Sequence, residues 1–358
     1  MGLRVRLKVS SDRLFASVKG IQSCAHYLVP GTAFPASMVR FGDGEIPMMA
    51  ARIHEFGPPS VIAIEDIPRP APGPGELLVR VAAAGVGPWD ALIREHKSRV
   101  KTPLPLTLGS DLSGVIEEAG PGVSGFQAGE KVYGVTNADF CGAYAEYALA
   151  SAAMVARRPS GLSYIEAASV PVVAVTAWQM LFDYAQGKAG QTVLIHGGAG
   201  NVGAYAVQLA SQAGFRVFAT ASPEDRALVQ TLGATTVIDY KTAKFDKVVP
   251  PVDIVVDTVG GETRERSFRM IKPGGILVSS VSQPMPERDH SNGVRAVFFL
   301  VEVTTARLDK ITSLFDQGKL AARVGPVLSL EQARTAHEML AGAPHKNGKI
   351  VLSVGALS

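Results

Sequence analysis

One nine-residue stretch, Ile195-His196-Gly197-Gly198-Ala199-Gly200-Asn201-Val202-Gly203, limits the possible folds more than any other part of the sequence. It follows Thr192-Val193-Leu194-Ile195 and opens a segment, 204–213, of small residues at helical spacing. A short apolar run rich in β-branched residues and bounded by glycines reads as a strand buried on both faces. Gly198, Gly200 and Gly203 then form G-x-G-x-x-G between that strand and the helix, the context a dinucleotide fingerprint needs. Gly198 permits the tight turn, Gly200 lets backbone amides approach a pyrophosphate, and Gly203 lets helix and strand pack closely. Ala199, Asn201 and Val202 complete the expected phosphate loop, where free N–H groups and the positive dipole end of the helix face an anion.

The same alternation continues downstream. Residues 216–220 read as a second strand and 223–232 as a second helix, with Ser222 and Pro223 at its cap and first turn and Gly233 closing it. Further strands are expected at 236–239, 253–256, 275–279 and 294–300. Strands alternating with helices imply a parallel, doubly wound sheet of Rossmann type, here over 172–300. Upstream, 61–134 reads as short strands (76–81 and 114–119 the clearest) between Pro/Gly turns, an all-β lobe. Past residue 300 come helical stretches at 305–317 and 330–340 and a last strand at 349–354.

The end of the second strand bears on the choice of nucleotide, because NAD sites place a carboxylate there for the ribose hydroxyls. This chain has Phe218-Ala219-Thr220-Ala221-Ser222, without one. Ser222 and, one turn on, Arg226 are expected to meet a 2′-phosphate, with Tyr240 and Lys241 flanking the adenine side. NADPH is the expected cofactor.

Composition removes other classes. Apolar residues are 47% of the 358, enough for a large core. Lys plus Arg is 35 against 32 acids, and the excess lies in residues 1–46; the balanced remainder argues against nucleic acid as a partner. No apolar stretch is long enough to span a membrane. Only Cys24 and Cys141 are present, too few for a four-cysteine zinc site or a disulfide framework, so a reducing compartment such as the cytoplasm is expected. Residues 1–47 read as a disordered extension. Their basic, serine-containing, acid-poor composition also fits an organellar transit peptide.

Several further motifs, in order, resemble the medium-chain dehydrogenase/reductase superfamily, and within it the zinc-free quinone oxidoreductase (zeta-crystallin-like) branch. They are Gly85-Val86-Gly87-Pro88-Trp89-Asp90, Gly109-Ser110-Asp111-Leu112-Ser113-Gly114-Val115, the glycine loop, Asp257-Thr258-Val259-Gly260-Gly261, Lys272-Pro273-Gly274-Gly275 and Gly348-Lys349-Ile350-Val351-Leu352. The resemblance implies an α/β fold in which a GroES-like β-rich catalytic domain (48–171 and 301–358) accompanies the Rossmann domain, with the cofactor between them. The zinc ligands of related dehydrogenases would fall at Gly87, Ser110 and near Val172, so no metal is expected. Thr176, Thr258, Ser280 and Lys346 are implied cofactor contacts. Trp89, Leu92 and Phe298 are implied to shape the substrate slot. The segment Val297-Phe298-Phe299-Leu300 resembles the edge strand through which members form homodimers.

Without a Lewis acid, oxidation of a saturated alcohol lacks stabilisation for its alkoxide. A quinone or α,β-unsaturated carbonyl is electrophilic already and needs mainly positioning. Zinc-independent, NADPH-dependent reduction of such a small molecule is therefore the expected activity. The alternatives are an enoyl-thioester reductase of the same superfamily and a non-catalytic nucleotide-binding protein. The family's usual Asn and Tyr are Gly87 and Leu92 here, which leaves the proton donor unassigned. Asp90 and Asp111, short acids in Gly/Pro turns, are expected to brace loops by accepting backbone hydrogen bonds.

Overall fold

The computed structural model describes residues 46–281 and 293–355. The expectations for the N-terminal extension up to residue 45 and for the 282–292 loop lie outside these residues. The β-rich lobe begins with β1 (Pro47–Ile53). It continues through β2 (Ile62–Pro68), β3 (Glu76–Val86), α1 (Pro88–Arg94), β4 (Leu106–Thr107), β5 (Asp111–Ala119), β6 (Lys131–Val135), β7 (Tyr147–Ser151) and β8 (Val155–Arg157). The helix α1 corrects the all-β reading of this lobe. Its local causes are plain: Pro88 presets the first turn, and the carboxylate of Asp90 reaches back to the Gly87 N–H, closing the N-terminus.

Two helices, α2 (Tyr164–Ala168) and α3 (Pro171–Trp178), lead out of the lobe, and α3 runs into a π-helical turn over Gln179–Tyr184. The Rossmann half then follows: β9 (Thr192–Ile195), α4 (Asn201–Gln212), β10 (Arg216–Ala221), α5 (Arg226–Thr231), β11 (Thr236–Asp239), α6 (Phe245–Val248), β12 (Val252–Asp257), α7 (Gly261–Ser267), β13 (Ile271–Ser279) and β14 (Arg295–Phe298). Pro223–Asp225 forms a 3-10 turn ahead of α5, where the sequence suggested one continuous helix. Every pairing in this sheet is parallel, in the order β11-β10-β9-β12-β13-β14. The order reverses between β9 and β12, and such reversal points are where α/β sheets bind ligands, outside the carboxyl ends of the strands.

The chain closes with α8 (Thr305–Asp316), β15 (Val324–Ser329), α9 (Ala333–Leu340) and β16 (Lys349–Ser353). These return to the first lobe: β16 pairs antiparallel with β3, setting Val351 opposite Gly85, in the sheet β15-β16-β3-β5-β6-β8. The register brings Lys349 beside the Gly85–Gly87 turn. A Cβ on Gly85 would lie 2.4 Å from the Ala168 carbonyl oxygen, so only glycine lets β3 approach α2 this closely.

Candidate functional site

The glycine loop sits at the reversal point. Gly197 has φ +68°, in the left-handed region, and a Cβ on Gly203 would stand 2.0 Å from the Gly197 carbonyl oxygen. The loop is therefore folded flat against the first turn of α4, leaving that turn's amides as the natural seat for an anion. A chain of hydrogen bonds under the loop fixes its geometry. Gly197 N–H donates to Thr220 Oγ1 (3.1 Å), Thr220 Oγ1 faces His196 Nδ1 (3.3 Å), and His196 Nε2 faces Ser267 Oγ (2.8 Å). Ser267 Oγ itself donates to the Thr263 carbonyl (2.7 Å), so it accepts from His196, and the imidazole proton belongs on Nε2. Burial pushes His196 down to about 4, which keeps the ring neutral.

The facing edge of the reversal point is equally fixed. Thr258 Oγ1 donates to the His196 carbonyl (2.7 Å), bridging β12 to β9. Asp257 accepts from Val259 N (3.1 Å) and Gly260 N (2.7 Å) through Oδ1, and from Ser279 Oγ (2.8 Å) through Oδ2. Ser280 N–H adds a bond to the Asp257 carbonyl (3.2 Å). Thr258 and Ser280 thus gather beside Gly198, Ala199, Gly200, Asn201, Val202 and Gly203 at the carboxyl edge of the sheet. Thr176, on α3, is buried with its hydroxyl committed to the Val172 carbonyl (2.7 Å).

At the far end of β10 the structure revises how the expected phosphate-binding side chains stand. Ser222 occupies the cap position, but its hydroxyl donates to Asp225 Oδ2 (2.9 Å) and caps no backbone amide. Arg226 donates to the Val237 carbonyl (3.1 Å), and Lys241 pairs with Glu224 (3.2 Å). Neither cation stands free, because each has an acceptor on the neighbouring strand or turn. Glu224 is held at about 2 by its own backbone bond, by Ser222 and by Lys241. Tyr240 is 59% exposed beside them. Lys346 is exposed, and its neighbour Asn347 donates from Nδ2 to Asp225 Oδ1 (3.0 Å), a bond from the C-terminal segment to the Rossmann half.

The lobe contributes a buried charge cluster. Lys349 Nζ lies 2.7 Å from Asp111 Oδ2, both groups fully enclosed, and 2.9 Å from where a Cβ on Gly87 would be. Asp111 Oδ1 accepts from Val172 N–H (2.9 Å). Asp90, 1% exposed, accepts from Gly87 N–H (2.8 Å) and Tyr144 Oη (3.0 Å) through Oδ2. Its Oδ1 has no protein partner among the described residues. Both acids therefore hold backbone amides in place. Burial raises Asp90 to about 7, against the pull of Lys349. Gly87, Ser110 and Val172 offer no imidazole, thiolate or carboxylate, and no group of three His, Cys, Asp or Glu side chains gathers among the described residues.

The residues expected to wall the substrate slot come from both halves. Trp89 packs edge-on to Phe140 (5.8 Å), and Leu92, on the same helix, is 39% exposed. Phe298 ends β14, half-buried, with Arg99 from the loop after α1 lying over its ring. Lys349, Tyr144 and Asn347 escaped the sequence reading. The lysine had a signal, as a charge opening an otherwise apolar run; the other two had none, because their partners are more than fifty residues away in the chain.

A β-rich lobe completed by its own C-terminus, set against a parallel sheet with a glycine loop at the reversal point, defines an oxidoreductase of the medium-chain dehydrogenase/reductase type. Residues 73–160 match the alcohol dehydrogenase GroES-like domain, and residues 232–352 match the family described as zinc-binding dehydrogenase. The quinone oxidoreductase of Mus musculus is 31% identical over 328 residues, covering 86% of this chain and 98% of the relative. The mitochondrial NAD(P)H oxidoreductase of Danio rerio is 29% identical, over 78% of this chain and 84% of its own. The solved structure of the quinone oxidoreductase from Coxiella burnetii superposes with a TM-score of 0.78 at 34% identity, covering 87% of this chain and 100% of that one. The chain belongs to the quinone oxidoreductase branch of that superfamily.

Proposed function

We propose that the protein is an NADPH-dependent, zinc-independent reductase of quinones or α,β-unsaturated carbonyls, working as a homodimer in a reducing compartment, the cytoplasm or an organelle. The observation that carries this reading is the pairing of a phosphate loop at the reversal point with a facing cluster that has an ammonium where metal-dependent relatives have a ligand set. A nicotinamide nucleotide, when bound, supplies the hydride. The chain's own groups hold and enclose it. The α4 amides take the pyrophosphate, and Thr258 and Ser280 flank the crevice. The Thr220-His196-Ser267 chain keeps the loop from flexing. Trp89, Leu92 and Phe298 form the apolar wall against which a flat acceptor packs. NADPH over NADH is supported by the missing carboxylate at the end of β10 and by Arg226 and Lys241 nearby, both able to exchange a protein acceptor for a 2′-phosphate.

The test is turnover of 1,4-benzoquinone, 9,10-phenanthrenequinone and an enone with either reduced nucleotide, followed by loss of nicotinamide absorbance, alongside zinc analysis of the purified protein. The expected result is NADPH-preferring turnover that survives chelation. Equal KM for the two nucleotides overturns the cofactor assignment, and activity that tracks zinc content overturns the metal-independent reading.

A further inference from the structure

The loop joining α1 to β4 carries a run of positive charge. Between His96 and Ser110 there is no Asp or Glu, while Lys97, Arg99 and Lys101 are all exposed. Two of these charges are used locally. Lys97 pairs with Glu95 (2.7 Å), and Lys101 Nζ donates to the His96 carbonyl (3.1 Å). Arg99 has no carboxylate partner among the described residues. Its guanidinium lies 5.8 Å from the centroid of the Phe298 ring. Stacking on an aromatic face leaves the N–H fork of an arginine free for another acceptor.

The position of Arg99 is built. Lys97 N and Ser98 N both donate to the Leu92 carbonyl (2.8 and 3.1 Å), folding the loop back onto α1. Val100 N donates to Ser98 Oγ (3.1 Å), and Ser98 and Thr102 are buried on either side of the arginine. Phe298 closes β14 at the carboxyl edge of the parallel sheet, the edge that carries the glycine loop. Arg99 is thus a lobe residue lying on a Rossmann residue at the carboxyl edge of the parallel sheet, in a loop that folds back onto Leu92.

We propose that Arg99 is a specificity-determining residue and that the acceptor carries an anionic group beyond its reacting end. This rests on the reductase reading above and narrows its substrate class. The anion has two chemical sources: an acidic substituent on the acceptor itself, or the phosphates of a thioester carrier.

The test compares 1,4-naphthoquinone-2-sulfonate with neutral 2-methyl-1,4-naphthoquinone, and crotonyl-CoA with the uncharged crotonyl ester of N-acetylcysteamine. Each pair is run with the parent enzyme, Arg99→Gln and Arg99→Lys. The expected result is a lower KM for the charged member of one pair, and that pair names the source. In Arg99→Gln this preference shrinks by roughly three- to tenfold, the scale of a solvent-screened charge-assisted contact. Arg99→Lys restores much of it, and added salt erodes it. A KM ratio identical in parent and Arg99→Gln overturns the proposal. Quenching of tryptophan fluorescence by the two naphthoquinones, without nucleotide, is the second readout. If neither quinone is reduced but the sulfonate binds more tightly in an Arg99-dependent way, the reductase reading falls and Arg99 recognition stands; equal binding overturns the latter.

Discussion

Asp90 and the two buried histidines pull the stability of this molecule in opposite directions with pH. Burial raises Asp90 from 3.8 to about 7, so the native state holds a proton that the unfolded chain gives up. Its contribution is present below pH 4 and lost as pH rises toward 7. Burial lowers His196 to about 4 and His337 to about 3, so here the unfolded chain takes up the extra proton. Their contribution is present above pH 6.5 and lost as pH falls toward those values. Each shift is worth roughly 3–5 kcal/mol by linkage, so native stability should peak in weakly acidic solution. Asp90→Asn keeps an oxygen for the Gly87 and Tyr144 donors and removes the ionisation. Thermal melts should show the variant gaining on the parent by about 1–2 kcal/mol at pH 8 and by much less at pH 5. A gain independent of pH would mean that Asp90 does not ionise within this range.

Among the elements, the turn between β9 and α4 tolerates the least change. Adding one methyl group in Gly203→Ala places a carbon 2.0 Å from the Gly197 oxygen, and backbone cannot yield as a side-chain tip does. The loop should open, weakening nicotinamide-nucleotide binding by about 2 kcal/mol, roughly 30-fold in Kd, in a calorimetric titration of protein whose far-UV spectrum is unchanged. Unaltered affinity would show that the nucleotide does not rest on this turn. This element was legible because its chemistry is local: three glycines, an apolar run before them and small residues after. The buried strands of the parallel sheet were legible for the same reason. The helix α1 was hidden inside a Pro/Gly-rich region, although Pro88 and the Asp90 capping contact are local signals for it. The return of β15 and β16 to β3 had no local signal, since their pairing closes more than two hundred residues of intervening chain. The Lys349–Asp111 pair depends on that long-range closure, and the Tyr144–Asp90 bond joins residues 54 apart in the chain. The partners of Ser222, Arg226 and Lys241 depend on which side chains crowd the end of β10, which spacing does not encode.

At the scale of the whole molecule, β14 is the last strand of the parallel sheet, and its outer edge has no pairing strand among the described residues. Leu300, just beyond it, is 45% exposed. An open apolar edge of this kind is a template for a second copy. Light scattering at micromolar concentration should report a dimer, and Val297→Lys should convert it to a monomer while leaving the melting curve cooperative. A monomeric parent would remove the dimer from the proposal. The two halves of one chain also meet through Asn347 on Asp225 and through Arg99 on Phe298. For a ligand held between those two contacts, entry and exit require the contacts to open, which ties exchange to a relative movement of the halves.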